Sequence, residues 1–279
     1  MNEHISQQPQ HTLADFRFSD RCLETVRRAQ RWLEEPALCA VFTSFEADYS
    51  NLPKQLAIEC AIAFVERSIS HVLDFGCGTG RTLPLLADCL PQAEVCAVAP
   101  TIDLQEEIIR QNGDQFPLLP MNTLDLLRED RRFDLVLCYS NLRLARNPEE
   151  HLSAITKLLE PGGIAYIQDF RRDIDQTVLA SLFDRLPAQY HPYLEDQLAA
   201  ALTLDEVGDI LRDLPCQTLH MGVGGVCGFA SESPGFFELL RNNEQIAGAL
   251  MRLHGYGFDT PKAAELVFHY VITIGEKIR

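Results

Sequence analysis

From Val72 to Gly80 the chain reads Val-Leu-Asp-Phe-Gly-Cys-Gly-Thr-Gly, an apolar run that ends in an acid and enters a turn with glycine at every second position. Glycine lets the backbone approach a ligand with no Cβ in the way. A helix expected over Arg81–Cys89 would aim its free N–H groups at that ligand, which favours a carboxylate or a phosphate there. Asp74 narrows the choice. Two residues before the first glycine, its carboxylate would repel a pyrophosphate. It would accept from the ammonium of a zwitterionic amino-acid end, whose own carboxylate would take the N–H groups.

A glycine turn can do this work only if strands and helices hold it at the edge of a sheet. The flanking sequence supplies them by alternation. His71–Phe75 and Glu94–Ala99 read as strands, Phe116–Pro120 as a third that carries two prolines, and Phe133–Tyr139 as a fourth. The fourth is a continuous apolar run, as expected for a strand covered on both faces. Thr101 can cap a helix running to Gln111, with Leu104, Ile108 and Ile109 as its apolar face. Asn147 caps another helix, with Pro148 first inside it and Glu150 three past the cap. Leu152, Ile155, Leu158 and Leu159 form its buried face. Pro161-Gly162-Gly163 then turns the chain into a strand over Ile164–Phe170. Strands alternating with helices imply an α/β fold, a doubly wound and mostly parallel sheet with right-handed crossovers.

Helical additions surround that sheet. Residues 1–12 read as a tail, and 20–34 and 53–67 as helices, the first ended by Pro36. An insertion over 174–202 is helical around 175–186 and 193–202, and Thr203-Leu204-Asp205-Glu206 opens a further helix with a capping box. Strands at about 216–222 and 225–230 are expected to pair as an edge hairpin. Ser233-Pro234 and Thr260-Pro261 open two C-terminal helices. Leu266, Val267, Tyr270, Val271 and Ile274 form the apolar face of the last. Such helices can cap the cleft, pack on the sheet or build a homodimer. The organisation expected is a tail and helical lid over 1–55, the doubly wound domain over 56–230, and a helical extension over 231–279.

Over Val72–Phe170, with a weaker continuation to Ala230, the chain resembles the class I S-adenosylmethionine-dependent methyltransferases, whose fold is Rossmann-like. Val72–Leu83 matches their first motif. Phe133–Ser140, Asn147–Gly163 and the strand ending in Gln168-Asp169-Phe170 match later motifs in order and spacing. The resemblance implies S-adenosyl-L-methionine as cofactor. It places Gly76, Cys77 and Gly78 at the methionine end, with Asp74 ordering the ammonium. It places Ala99 at the end of strand two, where the family has an acid gripping both ribose hydroxyls. Asn122, followed by Thr123, stands where an aspartate usually lies near the adenine. The loop from Tyr139 to Leu144 lies beside the reactive methyl, with Leu144 where many small-molecule members carry a histidine. Tyr139 is expected to face the cleft.

Loss of a charged hydrogen bond to the ribose costs about 1.5–3 kcal/mol, roughly ten- to hundred-fold in affinity. Asp103, one helical turn on, can reach the ribose or complement the helix dipole. Two functions follow. One is an active methyltransferase acting on a small-molecule metabolite, with an unusual ribose pocket. The other is a catalytically inactive homologue that keeps the shape and serves as a scaffold or partner-binding subunit. A nicotinamide or flavin enzyme would want G-x-G-x-x-G, and usually lacks an acid at Asp74.

Composition sets outer limits. In 279 residues, 24 lysines and arginines against 40 acids leave a net charge of −16. Such a chain repels phosphate backbones, and with no basic stripe a nucleic-acid partner is not expected. No apolar run approaches the roughly 20 residues of a membrane span. The polar N-terminus and nine scattered cysteines, with no C-x-x-C pair, fit reduced thiols in the cytoplasm and no metal site. Cys138 reads as a buried strand residue, His191 as part of a turn, and Gly222–Gly228 as a structural segment. Asp169 either faces substrate or pairs with a nearby arginine.

Overall fold

A computed structural model describes residues 21–49, 67–120, 123–128, 130–184, 186–224 and 267–274, together with Lys54, Ala57, Ile58, Ala61, Ile62, Phe64 and Val65. Six strands make one sheet: β1 His71–Phe75, β2 Glu94–Val98, β3 Phe133–Tyr139, β4 Leu159–Phe170, β5 Gln217–Gly224 and β6 Val267–Thr273. Their order is β2-β1-β3-β4-β6-β5. The first four run parallel, and β6 runs antiparallel to both β4 and β5. The doubly wound, mostly parallel sheet is therefore present. The chain leaves β1 to one side for β2 and to the other for β3. Such a reversal opens a crevice outside the carboxyl ends of the strands, and the glycine turn lies at that end of β1.

The helices are α1 Leu23–Glu34, α2 Pro36–Tyr49, α3 Thr82–Cys89, α4 Ile102–Asn112, α5 Thr123–Arg128, α6 Pro148–Leu158, α7 Gln176–Phe183, α8 His191–Ala200 and α9 Leu204–Arg212. Their starts follow the capping chemistry of the sequence. The Thr101 hydroxyl accepts from the Leu104 N–H at 3.2 Å, and the Asn147 side chain accepts from the Glu150 N–H at 3.3 Å. Thr203 and Glu206 form a reciprocal capping box.

Three expectations change. Residues 267–273, read from sequence as part of the last helix, form β6 between β4 and β5. In Val-Phe-His-Tyr-Val-Ile-Thr every position but His269 and Thr273 is apolar, so the run satisfies a helical spacing and a strand spacing alike. Its β-branched and aromatic content suits a strand covered on both faces. Val267 and Val271 join one apolar core, and Phe268, Tyr270 and Ile272 join the other. A face buried in this way is not open to build a homodimer. The partner of β5 is thus β6. The hairpin mate proposed at 225–230 and the helix from Ser233 lie outside the described residues. Second, Phe116–Pro120 is reduced to one bridge, Ala97 with Leu118, because Pro117 and Pro120 have no N–H to give a ladder. Third, Pro36 opens α2 at its first position, where a missing N–H is harmless; this helix was not read from the sequence.

Helices α1, α2 and α8 roof the crevice. The Trp32 indole donates to Asp196 at 2.9 Å, Gln30 donates to the Leu144 carbonyl at 2.8 Å, and Arg21 to the Ala200 carbonyl at 2.8 Å. Tyr193 packs edge-on against Trp32, with ring centres 5.4 Å apart, and against Phe45 at 4.9 Å. The roof is continuous with the core beneath it.

If 267–273 is a central strand, Ile272→Ala removes a fully buried side chain and should cost about 2–5 kcal/mol, read from urea denaturation. Leu219→Ala on neighbouring β5, 42% exposed, should stay within about 0.5 kcal/mol.

Candidate active site

The end of β1 carries Asp74 into the core. It is 1% exposed, and its Oδ2 has no hydrogen-bond partner among the described residues. Burial pushes its pKa up to about 7, against the pull of Lys54 and a hydrogen bond from Thr82 and with the repulsion of Glu46. The turn after it needs glycine. Gly76 has φ +100° and a Cβ there would overlap the Asn141 side chain, while Gly78 has φ +57° and a Cβ would sit 3.3 Å from Glu46. Above the turn, α2 lowers Glu46, which accepts from the Thr79 hydroxyl at 2.6 Å and pairs with the Lys54 ammonium. All of these charges are buried, so each matters more than it would in water.

Two adjacent chambers occupy the crevice. The first, about 40 Å³, is lined by Asp74, the glycine turn, Glu46, Lys54, Tyr139 and Tyr193. The second, about 180 Å³, lies along Val98–Thr101, with Gln30, Glu34 and His151 on its other walls. Leu33, Gly76, Pro100, Asn141 and Leu144 line both. At ~10–15 Å³ per water, the first holds about three waters, so a ligand entering it displaces the side chains from the roof.

Asn141 fixes the wall between the chambers. Its amide donates to the Phe75 carbonyl at 3.1 Å and lies 3.3 Å from His151 Nε2. Burial lowers the His151 pKa to about 4, so the ring is neutral and accepts that donor. The ring also stacks on Phe75, with centres 4.6 Å apart.

Arg143 anchors the far side. Its guanidinium donates to Asp169 at 2.6 Å and to Gln197 at 2.7 Å, and its own N–H donates to Asp169 at 2.8 Å. Gln197 in turn donates to the Ala29 carbonyl at 3.2 Å. Phe170 lies under the guanidinium at 5.1 Å. Burial works against charge on Arg143, and Asp169 and Tyr193 together more than offset it, so its pKa is raised. One arginine thus ties the loop after β3, the end of β4, α8 and α1 into one body.

Asp74, Gly76, Cys77, Gly78 and Tyr139 all line the first chamber, and Ala99 lines the second. Asn122 lies outside the described residues, and Thr123 opens α5. Asp103 is exposed in the first turn of α4, away from the crevice lining, where an acid complements the dipole. Asp169 pairs with an arginine, though with Arg143 rather than its neighbours; Arg171 pairs with Asp173, and Arg172 with Glu206. Burial raises the Cys138 thiol well above the usual cysteine range. His191, read as part of a turn, is instead the first residue of α8, 2.9 Å from the Leu186 carbonyl and edge-on to Phe183. The sequence reading missed Glu46, Lys54 and Glu34. Glu46 lies in the unread helix α2, and nothing local to Lys54 or Glu34 separates them from solvated charges.

Among solved structures, the chain superposes on the plantazolicin methyltransferase BamL, crystallised with a triazolic desmethylPZN analogue and SAH. The TM-score is 0.74 at 21% identity, over 91% of this chain and 97% of that one. The likeness is one of fold. A ubiquinone biosynthesis O-methyltransferase from Rickettsia conorii is 26% identical over 126 residues, 44% of this chain and 43% of that protein. A trans-aconitate 2-methyltransferase from Deinococcus radiodurans is 31% identical over 105 residues, 37% of this chain and 39% of that protein. The chain spans about two fifths of the length of each of these relatives. A methyltransferase domain model matches residues 17–208, and the chain belongs to that family. The cofactor that the sequence resemblance implies is S-adenosyl-L-methionine. The residues present fit it: a buried, unpartnered carboxylate oxygen beneath a glycine turn is what an amino-acid ammonium requires.

A carboxyl whose folded pKa is about 7, above its unfolded value, keeps its proton in the folded state, so stability falls as pH rises from about 4 to 7. Asp74→Asn should therefore melt above the native protein at about pH 8, with the gap closing towards pH 4. S-adenosylhomocysteine should bind the native protein more tightly as Asp74 ionises, and bind the variant weakly at any pH. Arg143→Met strands the Asp169 charge and should cost about 3–5 kcal/mol in chemical denaturation.

Proposed function

We propose that the chain is an S-adenosylmethionine-dependent methyltransferase acting on a small-molecule acceptor. The observation that carries this reading is the unpartnered Asp74 Oδ2 in a chamber that shares walls with the chamber along Ala99. When bound, the cofactor supplies a methyl group on a sulfonium, an electrophile that reacts by in-line displacement. The protein's share is then to bind, orient and exclude water. Ionised Asp74 accepts from the ammonium, and the turn from Gly76 to Gly78 lets the backbone approach. Val98, Ala99 and His151 enclose the nucleoside side. The α1 and α2 roof, through Leu33 and Phe42, shuts out water.

Among the described residues, the acceptor end offers no free base. Leu144 stands in place of a loop histidine. Burial pushes the Tyr193 hydroxyl up to about 12, so it keeps its proton. Arg143 and Asp169 are committed to each other, and Glu46 to Thr79 and Lys54. Acceptors that arrive ionised need no base, and a carboxylate, a thiolate or an ionised enol meets that condition. The roofed, aromatic-walled chamber also favours a small molecule over a polymer, as does the net charge of −16. Among the described residues, no helix is long and apolar enough to cross a membrane.

The test is a methyl-transfer assay with S-adenosylmethionine labelled on its methyl group, run against small carboxylates, thiols and enols beside transfer RNA and a peptide pool. Label should pass to a small acid, and the rate should level off above the acceptor's own pKa. Transfer only to RNA or peptide would sink the small-molecule reading. No binding of cofactor or product at millimolar concentration would leave the scaffold reading in place.

A further inference from the structure

Ala99 puts a methyl group where a carboxylate is wanted for the ribose, and Asp103 does not line the chamber. The lining of the second chamber holds one acid, Glu34, in the last turn of α1 across from Ala99, Pro100 and Thr101. The other polar groups nearby are engaged. Thr101 caps α4, Asn141 donates to the Phe75 carbonyl, and Gln30 donates to the Leu144 carbonyl. Glu34 has no hydrogen bond or ion pair among the described residues. Its neighbour Glu35 is held by Arg31 at 2.6 Å. An acid in the last turn of a helix meets the negative end of the dipole and is unfavourable there. Arg31 offsets that for Glu35, and nothing offsets it for Glu34.

We infer that Glu34 is the ribose-binding acid of this protein, supplied from the roof helix in place of the residue at Ala99. The inference rests on the cofactor reading above. A diol has two O–H donors, and a carboxylate at the chamber wall accepts both. It also makes the nucleoside site depend on α1 being seated: cofactor affinity and roof closure become one event, because the group that grips the sugar travels with the lid.

The experiment is calorimetric titration of the full chain with S-adenosylhomocysteine and with its 2′,3′-dideoxy analogue. Glu34→Gln is exposed and isosteric, and circular dichroism checks that it folds. It should weaken S-adenosylhomocysteine by about ten- to hundred-fold and leave the dideoxy analogue unchanged. Adding Ala99→Asp to Glu34→Gln should restore binding of the hydroxylated ligand. If the native protein binds and Glu34→Gln binds equally well, or loses both ligands equally, the inference is overturned while the cofactor reading stands. If the native protein binds neither ligand, the cofactor reading itself fails.

Discussion

One carboxylate held away from water sets the terms of this site. Asp74 lies at the end of a strand buried on both faces, with one oxygen unpartnered among the described residues. Burying a charge in that way is costly, so in isolation the group holds its proton to about pH 7. A cation brought to that oxygen recovers what desolvation cost. Lys54 already supplies part of the compensation from the roof, and Glu46 prevents Lys54 from belonging to Asp74 alone. The amino-acid end of the crevice is therefore a balance of three buried charges, one from the sheet and two from outside it. Selectivity for a zwitterion follows from that balance: a ligand with only negative charge meets two carboxylates, and a ligand with none leaves Asp74 uncompensated.

The roof is part of the site. Tyr193 packs between Trp32 and Phe45, and Gln197 links Arg143 to the α1 backbone. A shift of α1 or α8 is felt at the loop that follows β3, because the same arginine holds both. The small volume of the inner chamber agrees with this coupling. Space for a ligand there would have to come from moving Glu46, on α2, and Lys54, since Asn141 is pinned to the β1 backbone.

What the sequence disclosed follows from how local each signal is. The glycine turn, the caps at Thr101, Asn147 and Thr203, and the strand runs up to Phe170 other than Phe116–Pro120 are written in neighbouring residues, and each is found where it was read. β6 was misread because an almost uninterrupted apolar run carries no period to separate helix from strand; only its neighbours β4 and β5 decide. Phe116–Pro120 shows the reverse case, an extended segment whose prolines leave it too few donors to be a ladder. Helix α2 went unread although Pro36 is a good first helical residue, because the same proline also reads as a stop. The partners of Asp74 and Asp169 were not legible because they are tertiary. Asp169 finds Arg143 from 26 residues away, and arginines closer in sequence are drawn off by Asp173 and Glu206.

The acceptor end shows how little a methyl transferase must contribute chemically. Among the described residues, Arg143, Asp169 and Gln197 are already engaged in holding its walls together. A histidine in place of Leu144 would add a base, but it would set a polar ring against the apolar core that Leu144 now joins, with its desolvation cost. With an electrophile as reactive as a sulfonium methyl, rigid placement and dryness are worth more than a proton acceptor. The Arg143–Asp169–Gln197 network is consistent with that division: it gives up three polar groups that could have touched substrate and gains a fixed cavity. On the function proposed above, the substrate would bring its own nucleophilic charge, and the protein would choose among substrates by shape.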